Sequence, residues 1–123
     1  MLIKDIALYL ETQALGTLGT DLFYGNVPGK MEAGIVVLDT GGPQPDPDIP
    51  TKNPTFQVFI RAARYVTGDA KRNAVRAALH QLANTQLTGT YFYHILAVSE
   101  GGHIGQNEAG QEEFSINFQT LIR

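Results

Sequence analysis

Residues Glu112–Arg123 read EEFSINFQTLIR, and their alternation decides the fold. Phe114, Ile116, Phe118, Thr120 and Ile122 fall on one side. Glu113, Ser115, Asn117, Gln119 and Arg123 fall on the other, with Leu121 the exception. Successive side chains of a strand point to opposite faces, so this segment reads as a strand with one face on a core. Its other face meets water or a partner, as one side of an antiparallel sheet does. Immediately upstream, Ser99–Gln111 carries Gly101, Gly102, Gly105 and Gly110 and reads as a long hairpin loop. Before it, Tyr91–Glu100 is rich in aromatic and β-branched residues and reads as the partner strand. Two strands joined by a hairpin are antiparallel.

The same reading extends outward. Thr55–Val66 is expected to be the longest strand, with Phe56, Val58, Ile60 and Ala62 on one face and Gln57, Phe59, Arg61 and Tyr65 on the other. Gly34–Thr40 holds the run Ile35-Val36-Val37-Leu38 and reads as a central strand, while Asp21–Asn26 is a short one closed by Gly25-Asn26. Apolar residues at three- and four-residue steps predict a helix over Leu2–Ala14. A second helix is expected over Asp69–Asn84, capped by Thr67 or Asp69, with Val75, Ala78, Leu79 and Leu82 as its apolar stripe. Asn84–Thr90 reads as a turn. The order is therefore α-β-β-β-α-β-β. The expected class is α+β, a mostly antiparallel five-stranded sheet with two helices packed on one face. No repeat or linker divides the chain, so residues 1–123 are read as one domain.

Composition narrows the function. With 123 residues, 43% of them hydrophobic and 17% charged, the chain has enough apolar material for a core. A net charge of −3 argues against a strongly basic nucleic-acid binder. The absence of cysteine excludes disulfides and thiolate metal sites, and fits a reducing compartment. The opening MLIKDIALYLE is too polar for a signal-peptide core. No apolar run approaches the roughly 20 residues that cross a bilayer, so no membrane partner is expected.

Catalytic signatures are weak. The chain has two serines, Ser99 and Ser115, and no Gly-x-Ser-x-Gly. Its histidines, His80, His94 and His103, lack the close spacing of a metal-ligand pair. Asp46-Pro47-Asp48 lacks the glycine and terminal glutamate of a calcium loop. Gly101–Gly105 lies between strands, whereas a phosphate cradle needs a helix N-terminus. No catalytic residue, metal or cofactor is assigned, and the expectation is a non-enzyme.

Two features remain. Asp39–Pro54, DTGGPQPDPDIPTKNP, holds five of the six prolines and separates two strands. A loop this long is usually functional or disordered, and its proline density favours a semi-stiff arm able to grip a neighbour. On the second helix Arg72, Arg76 and His80 are spaced by four, with Lys71 beside them. That stripe is either an ordinary solvated face or a surface for DNA or an acidic partner.

The chain resembles the minor capsid or tail-terminator family of long-tailed bacteriophages. The resemblance rests on GTLGTDLFYGNVP (Gly16–Pro28), VVLDTGGPQPDP (Val36–Pro47), PTFQVFIRAARY (Pro54–Tyr65) and GQNEAGQEEFSINFQTLIR (Gly105–Arg123). One departure is Gln106 and Gln111, where the family has a more charged stretch. The resemblance implies a virion protein at the tail–neck junction, assembled in the host cytoplasm. It implies a head-to-tail homo-oligomeric ring, a hexamer, that stops tube growth. Its partners would be the tail tube protein below and the head–neck connector or stopper protein above. On this reading the interface takes Asp39, Thr40, Gly41, Gly42, Pro43, Pro45, Pro47 and Ile49 from the arm. The last hairpin would add His103, Ile104, Gln106 and Asn107. Lys71, Arg72 and Arg76 would face the lumen, in transient non-specific contact with phage DNA. The rival readings are another neck or stopper protein, a minor capsid or decoration component, and, least favoured, a small enzyme around Tyr93, His94 and His103.

Overall fold

Alternating apolar side chains on the last strand and on Thr55–Ala62 meet across one ladder, and the fold is built around that meeting. A computed structural model describes residues 1–29, 31–44 and 46–123. Its elements run α1 (Leu2–Thr12), β1 (Leu22–Tyr24), β2 (Gly34–Gly41), β3 (Thr55–Ala62), α2 (Tyr65–Leu79), β4 (Leu82–Leu87), β5 (Thr90–Ala97), β6 (Gly102–Gln106) and β7 (Glu112–Ile122). The class is α+β, as expected. Among the described residues the strand count is corrected from five to seven, in the order β1-β2-β3-β7-β5-β4 with β6 also beside β7. The sheet is mixed, because β1 and β2 run parallel.

β7 is central, and it is the longest strand, a place the sequence reading gave to β3. On one side β3 pairs with it antiparallel from Thr55↔Gln119 to Ala62↔Glu112. In this register Phe56 faces Phe118, Val58 faces Ile116 and Ile60 faces Phe114, and all six are buried. The rings of Phe56 and Phe118 stack at 5.0 Å with an 11° interplanar angle. Both helices close this same core, α1 through Ile6, Ala7 and Leu10 and α2 through Val75 and Leu79. The opposite sheet face carries Asn117 and Gln119 exposed and Arg61 paired to Glu113 at 2.9 Å.

On the other side of β7, β5 and β6 form one interrupted strand. Ala97 pairs with Phe118 and Gly102 with Ser115, so the four residues Val98–Gly101 lie opposite only Ile116 and Asn117. The extra residues make a bulge. The middle of what reads as a long glycine loop is strand β6. The true hairpin tip is Asn107–Gln111, closed by Asn107 N–H to the Gln111 carbonyl at 3.0 Å and by Gln111 N–H to Asn107 Oδ1 at 2.9 Å.

Two further boundaries move. Segment 82–87 pairs antiparallel with β5 through a two-residue turn at Thr88-Gly89, where the sequence suggests helix end and loop. The β3 strand stops at Ala62, and α2 begins at Tyr65. Gly68 therefore lies inside the first turn of the helix. A Cβ there would sit 2.2 Å from Phe114 Cε2, so glycine is what lets α2 lie this close to the sheet.

Candidate subunit and partner interface

The arm between β2 and β3 is rooted more firmly than a loop of its length requires. Asp39, Thr40 and Gly41 belong to β2, and the Thr40 and Thr55 hydroxyls bond at 2.6 Å. Gly42 has φ of 120°, and a Cβ on it would lie 2.6 Å from the Asn53 carbonyl oxygen, so the two stems touch. On the return stem, Lys52 and Ile122 exchange backbone hydrogen bonds at 3.0 and 2.9 Å. Thr120 Oγ1 donates to the Pro54 carbonyl at 2.7 Å, and Asn53 Nδ2 donates to the Thr120 carbonyl at 3.3 Å.

Beyond the stems, Pro43, Pro47 and Ile49 are exposed. Pro45 lies outside the described residues. The tip is ordered by its own bonds, from Asp48 N–H to Asp46 Oδ1 at 2.9 Å and from Ile49 N–H to the Asp46 carbonyl at 3.2 Å. Ile49 is 51% exposed, a large apolar side chain held outward.

On the last hairpin, His103, Ile104 and Gln106 are exposed on β6, and Asn107 starts the tip. Ile104 sits in the register shift between His103 and Gly105. Across the ladder, Glu112 accepts from Gln106 Nε2 at 2.7 Å and is paired with His103 Nε2. Those two bonds, Gln106 first and His103 second, hold the Glu112 carboxyl below its ordinary value of 4.5. A depressed carboxylate stabilises the fold above its unfolded pKa and loses that contribution as pH falls through its folded value. The expected result is a stability advantage of wild type over Glu112→Gln that shrinks as pH falls below about 4.5. Thermal melts of both proteins between pH 7 and pH 3 check this.

The three basic residues of α2 are each engaged within the chain. Arg72 is paired with Asp69, and its Nη1 also donates to the Glu100 carbonyl at 2.9 Å and the Gly101 carbonyl at 3.3 Å. Arg76 meets the Glu100 carboxylate at 3.5 Å. One turn further, His80 Nδ1 accepts from Ala97 N–H at 3.0 Å. The four-residue spacing seen in the sequence is thus a seam that fastens α2 to the β5–β6 bulge. Lys71 Nζ donates to the Leu15 carbonyl at 3.2 Å, tying α2 to the segment after α1.

Sequence reasoning missed a second surface. Arg64, Tyr65 and Val66 open α2 and are exposed, Val66 at 78%. The Tyr65 ring packs edge-on to His103 at 5.1 Å and against Phe114 at 5.3 Å. The Tyr65–His103 contact brings the start of α2 against β6, where Ile104, next in sequence to His103, is 57% exposed, and we treat these residues together as one patch. Its signal was the apolar pair Tyr65-Val66 beyond the last alternating position of β3.

Nearby, an open groove of about 650 Å³ runs between Met31, Glu32 and Arg61 and the hairpin tip. Its cation is committed, since Arg61 donates to Glu113 and, at 2.8 Å, to the Met31 carbonyl. Among the described residues no three His, Asp or Glu side chains are arranged to hold a metal, and no helix is long and apolar enough to cross a membrane.

A family model described as bacteriophage tail terminator protein matches residues 9–123. No curated protein matches the sequence. Among solved structures, a chain of the virion of a native gene transfer agent particle is similar, with a TM-score of 0.70 at 18% identity, over 98% of this chain and 93% of that one. At that identity the likeness is one of fold.

Proposed function

Because the chain belongs to the bacteriophage tail terminator family, and is thus a structural tail-completion protein of the virion, we propose that it acts as a closed ring of six copies. The ring ends polymerisation of the tail tube at the tail–neck junction and presents a seat for the head–neck connector or stopper protein. Assembly takes place in the host cytoplasm. The mechanism is geometric: each copy offers one surface and accepts a different one, and the rotation closes.

The observation that carries this reading is the match over residues 9–123, which takes in the arm, the last hairpin and α2. The exposed arm supports an intersubunit role for Asp39–Gly42 on its stem and for Pro43, Pro47 and Ile49 beyond it. The exposed β6 side chains support a role for His103, Ile104 and Gln106 toward the tube or connector, with Asn107 beside them at the hairpin tip. DNA contact by Lys71, Arg72 and Arg76 is assigned only a weak, sequence-blind part, because Asp69 and Glu100 already neutralise both arginines.

Native mass spectrometry of the purified chain, alone and with tail tubes, tests the ring. The expected species is a six-copy assembly, alone or on tube ends. A chain that stays monomeric and leaves tubes unbound counts against the reading.

A further inference from the structure

The arm tip and the Arg64 patch lie at opposite ends of one strand. β3 leaves the arm at Thr55 and reaches Ala62, two residues before Arg64. Eight residues of strand place these ends about 25 Å apart. The arm closes at Gly42 against Asn53, leaving the ten residues 43–52 to run out and back. Half of that span reaches about 18 Å even when fully extended. The arm therefore cannot occupy the patch of its own chain.

The two surfaces complement each other chemically. The tip offers prolines, the exposed Ile49 and the carboxylates of Asp46 and Asp48. The patch offers the half-exposed Tyr65 ring, the apolar Val66 and Ile104, and Arg64, which forms no ion pair among the described residues. Proline-rich segments dock on aromatic surfaces because their backbone is already extended and loses little freedom. Here the Asp46–Ile49 turn is formed in advance by its own hydrogen bonds. The patch rests on a fixed base, since Tyr65 and His103 both pack on the buried Phe114.

We propose that the arm tip of one copy docks on the Arg64–Tyr65–Val66–Ile104 patch of the next, Asp46 and Asp48 facing Arg64 and Ile49 lying among the apolar side chains. This rests on the ring reading and names the contact that closes it. Donor and acceptor at opposite ends of β3 make the contact heterologous, the kind that propagates from copy to copy.

Charge exchange tests it by sedimentation equilibrium of the full chain. Asp48→Lys, which leaves the Asp46 turn bond in place, is expected to weaken self-association at least tenfold, and so is Arg64→Asp. Arg64 is the N-cap of α2 and makes no side-chain cap bond, and aspartate is favoured there, so that variant keeps its fold. Combining these two substitutions in one chain is expected to restore most of the association. Val66→Asp, at a position 78% exposed in the first turn of α2, is expected to weaken it without lowering the melting temperature. Wild-type assembly unaffected by all of these variants overturns the arm contact and leaves the ring. Wild-type chains that stay monomeric, alone and with tail tubes, overturn the ring and the contact together.

Discussion

Replacing Phe118 with alanine is expected to lower the free energy of unfolding by about 3–5 kcal/mol, a typical loss for a buried phenylalanine. The position is at the upper end for three reasons. Phe118 is fully buried, it stacks on Phe56 at 5.0 Å, and it lies on the strand that both halves of the sheet share. Removing it leaves a cavity against Phe56 and loses the ring–ring term of about 0.5–1.5 kcal/mol. A domain of this size is stable by roughly 5–15 kcal/mol, so the loss is a large part of the total. Urea denaturation followed by circular dichroism checks it through the midpoint. A midpoint within experimental error of wild type would mean that β7 does not hold the core together.

Gly68→Ala comes second, and here intuition from helix propensity has the wrong sign. In an exposed helix interior the change would stabilise by about 1 kcal/mol. At Gly68 the new methyl would lie 2.2 Å from Phe114 Cε2 and 2.8 Å from Cδ2. Phe114 has no room to withdraw, since Tyr65 and His103 rings lie at 5.3 and 5.1 Å and its own side chain is fully buried. Overpacking of this kind costs typically 1–3 kcal/mol. The expected net loss is about 2 kcal/mol, and Phe114→Leu in the same chain is expected to recover part of it. Calorimetric melting of the two single variants and the double variant measures that coupling.

The sequence carried the strong periodicities and little else of the fold. β7 and β3 were legible because every second side chain is apolar, and α1 because its apolar residues repeat at helical steps. Leu82–Leu87, LANTQL, was not legible as strand. Its Asn84 favours turns and its Ala83 and Gln86 give no strand signal, so its pairing to β5 is imposed by the tertiary fold. β6 hid for a similar reason, since three glycines in GGHIG obscure a strand held in place by β7. Gly68 misplaced the start of α2, because a glycine reads as a breaker until the ring it accommodates is known. For the candidate interface, the proline arm was visible and only its stems shrank it. The Arg64–Val66 patch was not visible, since exposure of Tyr65 depends on where β3 stops. The arginine stripe of α2 was correctly spaced, but two of the partners of Arg72, the Glu100 and Gly101 carbonyls, are backbone atoms of a bulge and leave no trace in composition.

The rooting of the arm has a mechanical consequence. A pull on the arm tip enters the sheet lengthwise along β2 and β3, and the Lys52–Ile122 pair passes part of it to β7. Ladder hydrogen bonds lie across the strands, so such a pull shears the eight registered pairs of β3 and β7 together and does not open them one after another. Tension between the arm and the start of α2 is thus borne along the strongest direction of the molecule.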